Sequence, residues 1–412
     1  MPFTEDMLAQ GRPPSISTVA LPRRQSYFPS PSDWRDAVLY FLLPDRFSDV
    51  TDPPRPLLNR NNLYAARPPL PNGNSWRWDR WVESGSSRWQ GGTLQGIISR
   101  LDYLQGLGVN ALWIGPIFKQ RGHLNTYHGY GIQDLLDVDP HFGTRNDLVT
   151  LVRAAHGRNM RIILDVVFNH SGANWLYPDN TPGGPHTPHY LPFPHRYPFG
   201  SWRGDQGQAI PAIGGNDDGA WPSEIQDPDC YTRAGSGDLG AGDINNPEAE
   251  HKRTDFGDLR DFDLDHTLTD LTRCYQYWIA LTDCDGFRID TLKHVTLEQA
   301  RNFCGAIKEF AANLGKSDFL LIGEIAGGEH NQDRFLDVLE RNLNAALDIA
   351  EMVPTLHGVA KGLTPPRQFF DGFLSDDRMG SHRNTGLRHV SILDDHDHVY
   401  GEKIRFSVDA SS

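Results

Sequence analysis

The feature that most constrains the fold is a series of short, mostly apolar segments separated by stretches of helix length. AVLYFLL (37–43), VNALWIGPIF (109–118), MRIILDVVF (160–168), GFRID (286–290) and FLLIGEI (319–325) are too apolar for strands with one wet face. They match strands buried on both sides. Between the first two, TLQGIISRLDYLQGLG places Leu94, Ile97, Ile98, Leu101, Leu104 and Leu107 at helical spacing and ends on Gly108, a natural stop. Further helices are expected near 146–157, 268–281 and 297–314, and further strands in ALDIAEM (346–352) and HVSILDD (389–395). This alternation implies a parallel sheet with helices outside it, either doubly wound or closed as a (β/α)8 barrel. No repeat of solenoid period occurs.

Four regions follow from the same reading. Residues 1–36 are rich in Pro and Ser and lack periodicity, so they are expected to form an arm lying on the surface or partly disordered. Residues 37–170 hold the first part of the barrel and 266–412 the second. In 171–265 the alternation gives way to Gly, Pro, His, Asp and aromatic residues, too long a stretch for a bare loop. An inserted subdomain after the third strand is expected there. The count stops at seven strands, so the expected architecture is a (β/α)8-type barrel truncated after strand 7, without an eighth strand or a C-terminal β-domain.

The formal charge of −14, from 39 basic and 53 acidic residues, argues against nucleic acid or an anionic membrane as the main partner. No apolar run is long enough to cross a bilayer, and MPFTEDMLAQGRPPS has neither the basic nor the apolar region of a secretory leader. A cytoplasmic location is the default expectation. Cys230, Cys274, Cys284 and Cys304 show no CxxC spacing and read as free thiols.

The chemistry is signalled by where acids fall. Asp165, Asp290, Glu324 and the run Asp394 to Asp397 each end an apolar strand. One such acid usually caps the next helix, but several converging at strand ends mark the place where α/β folds put active sites. Arg288 and Asp290 share one strand face, so the guanidinium is expected to keep the Asp290 carboxyl ionised and low in pKa, as suits a nucleophile. Glu324, facing other carboxylates, is expected to have a raised pKa, as suits a general acid, and Asp397 to steady positive charge or substrate hydroxyls. One low and one raised carboxylate facing each other is the equipment of retaining glycoside hydrolysis.

With these residues in view, the chain resembles the α-amylase family of retaining glycoside hydrolases from about Leu39 to His398. The resemblance rests on YHGYGIQDLLDVDPHFGT (127–144), DVVFNH (165–170), FGDLRDFD (256–263), GFRIDTLKH (286–294), GEI (323–325) and LDDHD (393–397), in that order. It implies Asp290 as nucleophile, Glu324 as general acid/base and Asp397 as transition-state stabiliser, with Arg288 orienting the nucleophile. It also implies His170 and His396 as hydrogen-bond partners of the sugar at the cleaved bond, Tyr130 stacked beneath that sugar, and Lys293 and His294 on the leaving-group side. Asp165 would be a structural partner of the cluster. Family members often bind Ca²⁺ through oxygen ligands matching Asn169, Asp258 and the backbone carbonyl of His294, and oxygen donors suit that ion. The alternative is that Asn169 and Asp258 hydrogen-bond without metal.

The implied substrate is an α-glucan such as starch, glycogen or a maltooligosaccharide, cleaved by water. Transfer to a sugar hydroxyl is the first alternative, and a non-catalytic carbohydrate-binding protein on the same fold is the second. A phosphate-binding enzyme is disfavoured because no Gly-rich loop follows a strand. One departure from the family pattern is Asp395, where Asn is common. His186, His189 and His195 read as cleft or solvent residues rather than metal ligands, and Trp76, Trp78, Trp81 and Trp89 as packing of the first long loop or as outer sugar platforms. Oligomeric state is not encoded in any pattern here.

Overall fold

The computed structural model describes residues 2–51, 89–327, 329–349, 352–372 and 388–397. Its centre is a parallel sheet of seven strands: β1 (Leu39–Leu42), β2 (Ala111–Ile114), β5 (Arg161–Val166), β11 (Gly286–Ile289), β12 (Leu320–Gly323), β13 (Ala345–Asp348) and β14 (His389–Ser391), adjacent in that order. Every apolar segment read as a strand supplies one of them. Chain order and spatial order coincide, as in a (β/α)8-type barrel, and the sheet is the first seven strands of one. Trp113, Ile163, Leu320, Ile322, Leu347 and Ile392 pack together on the inner face, joined by half-buried Phe41 of β1 and Val390 of β14. The sheet therefore curls until residues of its two edge strands share one cluster. Among the described residues it stays open, and both edges line a groove of about 840 Å³.

Helices cover the outer face. Arg145–His156 and Leu297–Asn313 each start at a capping box, Thr144 with Asp147 and Thr296 with Gln299, which satisfies amides at the helix start. The stretch expected as one helix before β2 is two, Leu94–Ser99 and Leu101–Gly106, because Arg100 leaves helical geometry at φ −114°, ψ 6°. Its apolar spacing survives the break, which is why periodicity alone does not detect it. Leu264–Thr282 follows the inserted region.

That region holds little regular structure. β6 (His170–Ser171) pairs antiparallel with β10 (Arg260–Asp261), and β7 (Trp175–Leu176), β8 (Ser201–Arg203) and β9 (Ala209–Ile210) form a small antiparallel sheet. Another antiparallel pair, β3 (Phe118–Gln120) with β4 (Ile132–Val138), sits between β2 and the next outer helix. At its connection Gly129 has φ +88°, and a Cβ there would stand 2.0 Å from the Pro116 carbonyl oxygen. Only glycine fits, and the turn delivers Tyr130 to the mouth of the sheet.

The N-terminal arm is docked rather than loose. Ile16 is wholly buried, and Arg12 pairs with buried Asp134 of β4 while lying 4.0 Å from the Trp221 ring centroid. Glu224 accepts hydrogen bonds from the amides of Ile16 and Ser17 and the hydroxyls of Ser15 and Ser17. The arm thus ties the inserted region to the barrel wall. Burial pushes the Asp134 carboxyl up to about 6, with Arg12 opposing. Arg12→Met is expected to cost about 3–5 kcal/mol at pH 8, since it strands a buried carboxylate. Urea melts should show that loss shrinking at pH 5, where Asp134 takes a proton and needs no partner.

Candidate active site

Arg288 organises the C-terminal mouth of the sheet. It lies in the middle of β11, in register with Asp165 of β5 and Ile322 of β12. Its Nη1 donates to Asp165 Oδ1 and Asp290 Oδ1, both at 2.8 Å, and its Nη2 meets Glu324 Oε1 at 3.0 Å. Strand alternation puts Arg288 and Asp290 on one face, and Glu324 follows directly on β12. Asp165 also accepts from Trp113 Nε1 and from the Tyr130 hydroxyl, each at 2.9 Å. Glu324 Oε2 accepts the Thr291 backbone N–H at 2.7 Å.

Three nearly buried carboxyls share one cation, so they cannot all ionise cheaply. Burial pushes Asp165 and Asp290 up to about 6, with Arg288 opposing in each case. The same burial carries Glu324 to about 7, opposed by Arg288 and reinforced by Asp290 and Asp397. The low pKa expected for Asp290 is corrected here: its guanidinium is divided among three acids and does not outweigh desolvation. The raised value at Glu324 comes first from burial and only then from neighbouring charge.

The aromatic and imidazole groups gather around this cluster. The His396 ring stacks on Tyr130 with centroids 5.3 Å apart and 10° between planes, and it lies 4.9 Å from Phe41. Asp397 N–H donates to Asp395 Oδ1 at 3.0 Å, so Asp395 closes the turn through an oxygen that an Asn would also offer. His170 is buried and held neutral, its pKa lowered by burial to about 4. The Asn169 side-chain amide approaches His170 Nδ1 at 3.3 Å, and the Tyr130 backbone supports the ring from the turn ahead of β4. A neutral imidazole held in place at a site mouth suits hydrogen bonding to a ligand hydroxyl. His294 Nδ1 meets the His251 carbonyl oxygen at 2.7 Å, and Lys293 Nζ meets that of Leu239 at 3.3 Å. Phe256 touches both His170 and His294, at 5.1 and 4.6 Å between centroids.

Of the residues picked from sequence, the structure brings Asp165, Arg288, Asp290, Glu324, Tyr130, His396 and Asp397 to one place, with His170, Lys293 and His294 along its inserted-region side. Trp113, Phe256 and Thr291 were missed. Trp113 had a signal, since it shares the inward face of a strand next to that of Asp165. Trp89 stacks flat on His141 at 4.0 Å, a packing contact, while Trp76, Trp78 and Trp81 lie outside the described residues.

Of the expected oxygen-ligand set, Asn169 and His294 line a common cavity of about 780 Å³, whereas Asp258 lies close enough to Arg203 and His186 to act on their charge. The acid on the adjoining ladder is Asp261, opposite His170. Its Oδ2 is buried without a partner, and burial, then Asp255, lifts its pKa well above the ordinary range. Pairing with His170 sets the Asp261 side chain on the strand face opposite that of Asn169, so Asp261 does not join that set. No cluster of three or more His, Cys, Asp or Glu suited to a metal occurs among the described residues.

The fold is therefore a (β/α)8-type sheet, open among the described residues, that carries an arginine-bridged group of acids at its strand ends. Residues 41–196 match the family model described as the catalytic domain of alpha amylase. An alpha-amylase of Streptomyces lividans is 32% identical over 266 residues, covering 58% of this chain and 28% of that protein. A beta/alpha-amylase of Paenibacillus polymyxa is 30% identical over 369 residues, 89% of this chain and 24% of that protein. Among solved structures, the alpha-amylase of Geobacillus thermoleovorans in complex with acarbose superposes with a TM-score of 0.56 at 24% identity, covering 89% of this chain and 63% of that one. Over most of its length the chain is thus similar to members of the α-amylase family. It spans about a quarter of the length of these two curated relatives.

Proposed function

We propose that this chain carries the catalytic centre of a retaining glycoside hydrolase acting on α-glucosidic bonds of starch- or glycogen-like glucans or maltooligosaccharides. The observation that carries this reading is the single guanidinium of Arg288 holding Asp290 and Glu324 on neighbouring nitrogens at 2.8 and 3.0 Å. That bridge keeps the two carboxyls close, which favours direct attack by one of them over activation of a water lodged between acids about 6.5–9.5 Å apart. Asp290, ionised against Arg288, attacks the anomeric carbon while Glu324, still protonated near neutrality, protonates the leaving oxygen. Glu324 then takes a proton from the acceptor that breaks the covalent intermediate. Asp397, His396 and His170 hold the sugar hydroxyls, and Tyr130 offers its ring to the sugar's C–H face. Lys293 and His294 face the departing chain.

Reducing-sugar release from soluble starch, compared with Asp290→Asn, tests this reading. Release by the parent chain and none by the variant is expected; equal background from both overturns it. Binding of starch without release supports the carbohydrate-binding alternative, and longer glucans made from maltoheptaose support transfer.

Ca²⁺, if held, would sit on Asn169, Asp258 and the carbonyl of His294. There it would neutralise a half-buried carboxylate and pin the inserted region to the barrel. EDTA is then expected to lower the melting temperature of the parent chain by several degrees and that of Asp258→Asn by much less. Equal shifts would contradict this donor set.

A further inference from the structure

Thr291 stands between Asp290 and the short helical turn Leu292–His294, with φ +48° and ψ +35°. For a β-branched residue this left-handed conformation is a true outlier, maintained only where the surroundings enforce it. They do so from both sides. Asp290 N–H is bonded to the Val166 carbonyl, and the Thr291 carbonyl accepts His294 N–H, each at 2.9 Å. Among the described non-glycine residues with positive φ, Thr291 is the one adjoining the carboxyl cluster.

The turn has a chemical product. It points the Thr291 N–H at Glu324 Oε2, 2.7 Å away on the next strand, while Glu324 N–H returns to the Ile289 carbonyl at 3.0 Å. Arg288 occupies the other carboxyl oxygen, so the two donors fix the plane of the Glu324 carboxyl. The Thr291 hydroxyl is buried beside Asp290 and helps hold that carboxyl, while the turn itself is what aims the backbone N–H at Glu324.

We propose that Thr291 is a positioning residue whose strained turn sets the reach between Asp290 and Glu324 and supplies the backbone N–H that orients Glu324 for proton transfer. This rests on the roles assigned to those two acids above. The groups facing Glu324 are Arg288 and Asp290 from β11, Asp397 after β14 and Tyr130 ahead of β4, with Asp165 of β5 reached through Arg288. Loss of the Thr291 donor removes a bond that favours the carboxylate, so the Glu324 pKa should climb further.

The test replaces Thr291 by its α-hydroxy acid counterpart through nonsense suppression, which turns the amide N–H into an ester oxygen and keeps the side chain. On maltoheptaose, kcat is expected to fall about 10–100-fold with KM nearly unchanged, and the alkaline limb of the kcat profile to move to higher pH. Thr291→Gly keeps the backbone donor but loses the hydroxyl beside Asp290, so whatever its kcat, its alkaline limb should not move. A parent-like ester variant overturns the proposal, as does a Gly variant whose limb moves as far as the ester's. Titration of the Glu324 carboxyl by ¹³C NMR decides the matter without turnover: an unchanged midpoint in the ester variant refutes the proposal. A parent chain that releases no sugar while that midpoint does shift would instead overturn the proposed function alone.

Discussion

Glu324→Gln is expected to lower kcat on starch by about 10²–10⁴-fold, because it removes the proton donor and leaves the nucleophile in place. The loss should be selective. An α-maltosyl fluoride, whose leaving group needs no proton, should lose far less in the glycosylation step than a glucan does. Stability should move the other way. A carboxyl raised by burial to about 7 stabilises the fold fully below its ordinary value near 4.5 and loses that contribution as pH rises through 7. The amide escapes that loss, so Glu324→Gln should melt about 2–4 °C above the parent at pH 8 and match it near pH 4.5. Equal losses on both substrates would remove Glu324 from the acid role.

Arg288→Met is expected to be the most damaging single change. The guanidinium is 2% exposed and lies 5.1 Å from the Trp113 ring and 5.8 Å from the Tyr130 ring. Burial works against its charge, but Asp165, Glu324, Tyr130 and Asp290 hold its pKa well above the ordinary value. Without it three buried acids face one another unpaired, at a cost of about 3–5 kcal/mol at pH 8. Urea melts should show most of that cost disappearing at pH 5, where the acids are protonated. Activity should fall by about 10²-fold or more through misplacement alone, and Arg288→Lys should not restore it, since an ammonium cannot present two nitrogens to separate carboxyls.

The strands were legible because burial on both faces leaves no room for polar residues, so Leu112, Ile163 and Leu321 announce the sheet directly. The acids at strand ends were legible for the complementary reason: Asp165, Asp290 and Glu324 are charges where the apolar pattern predicts none. Properties set by non-local packing were not legible. The break at Arg100 preserves apolar spacing and so leaves no trace in it. The arm gives no periodic signal because its burial rests on single anchors, Ile16 and Arg12, that meet residues more than a hundred positions away. The pKa of Asp290 depends on how many acids share Arg288, a number that only the assembled mouth fixes.

The pairing of Asp290 with Glu324 across Arg288 is tested most directly by the anomeric form of the first product. Proton NMR during cleavage of maltoheptaose should show the new reducing ends emerging as the α-anomer and mutarotating later, because two displacements at one carbon restore its configuration. New ends that emerge as the β-anomer would mean that water attacks directly, and Asp290 would not be the nucleophile.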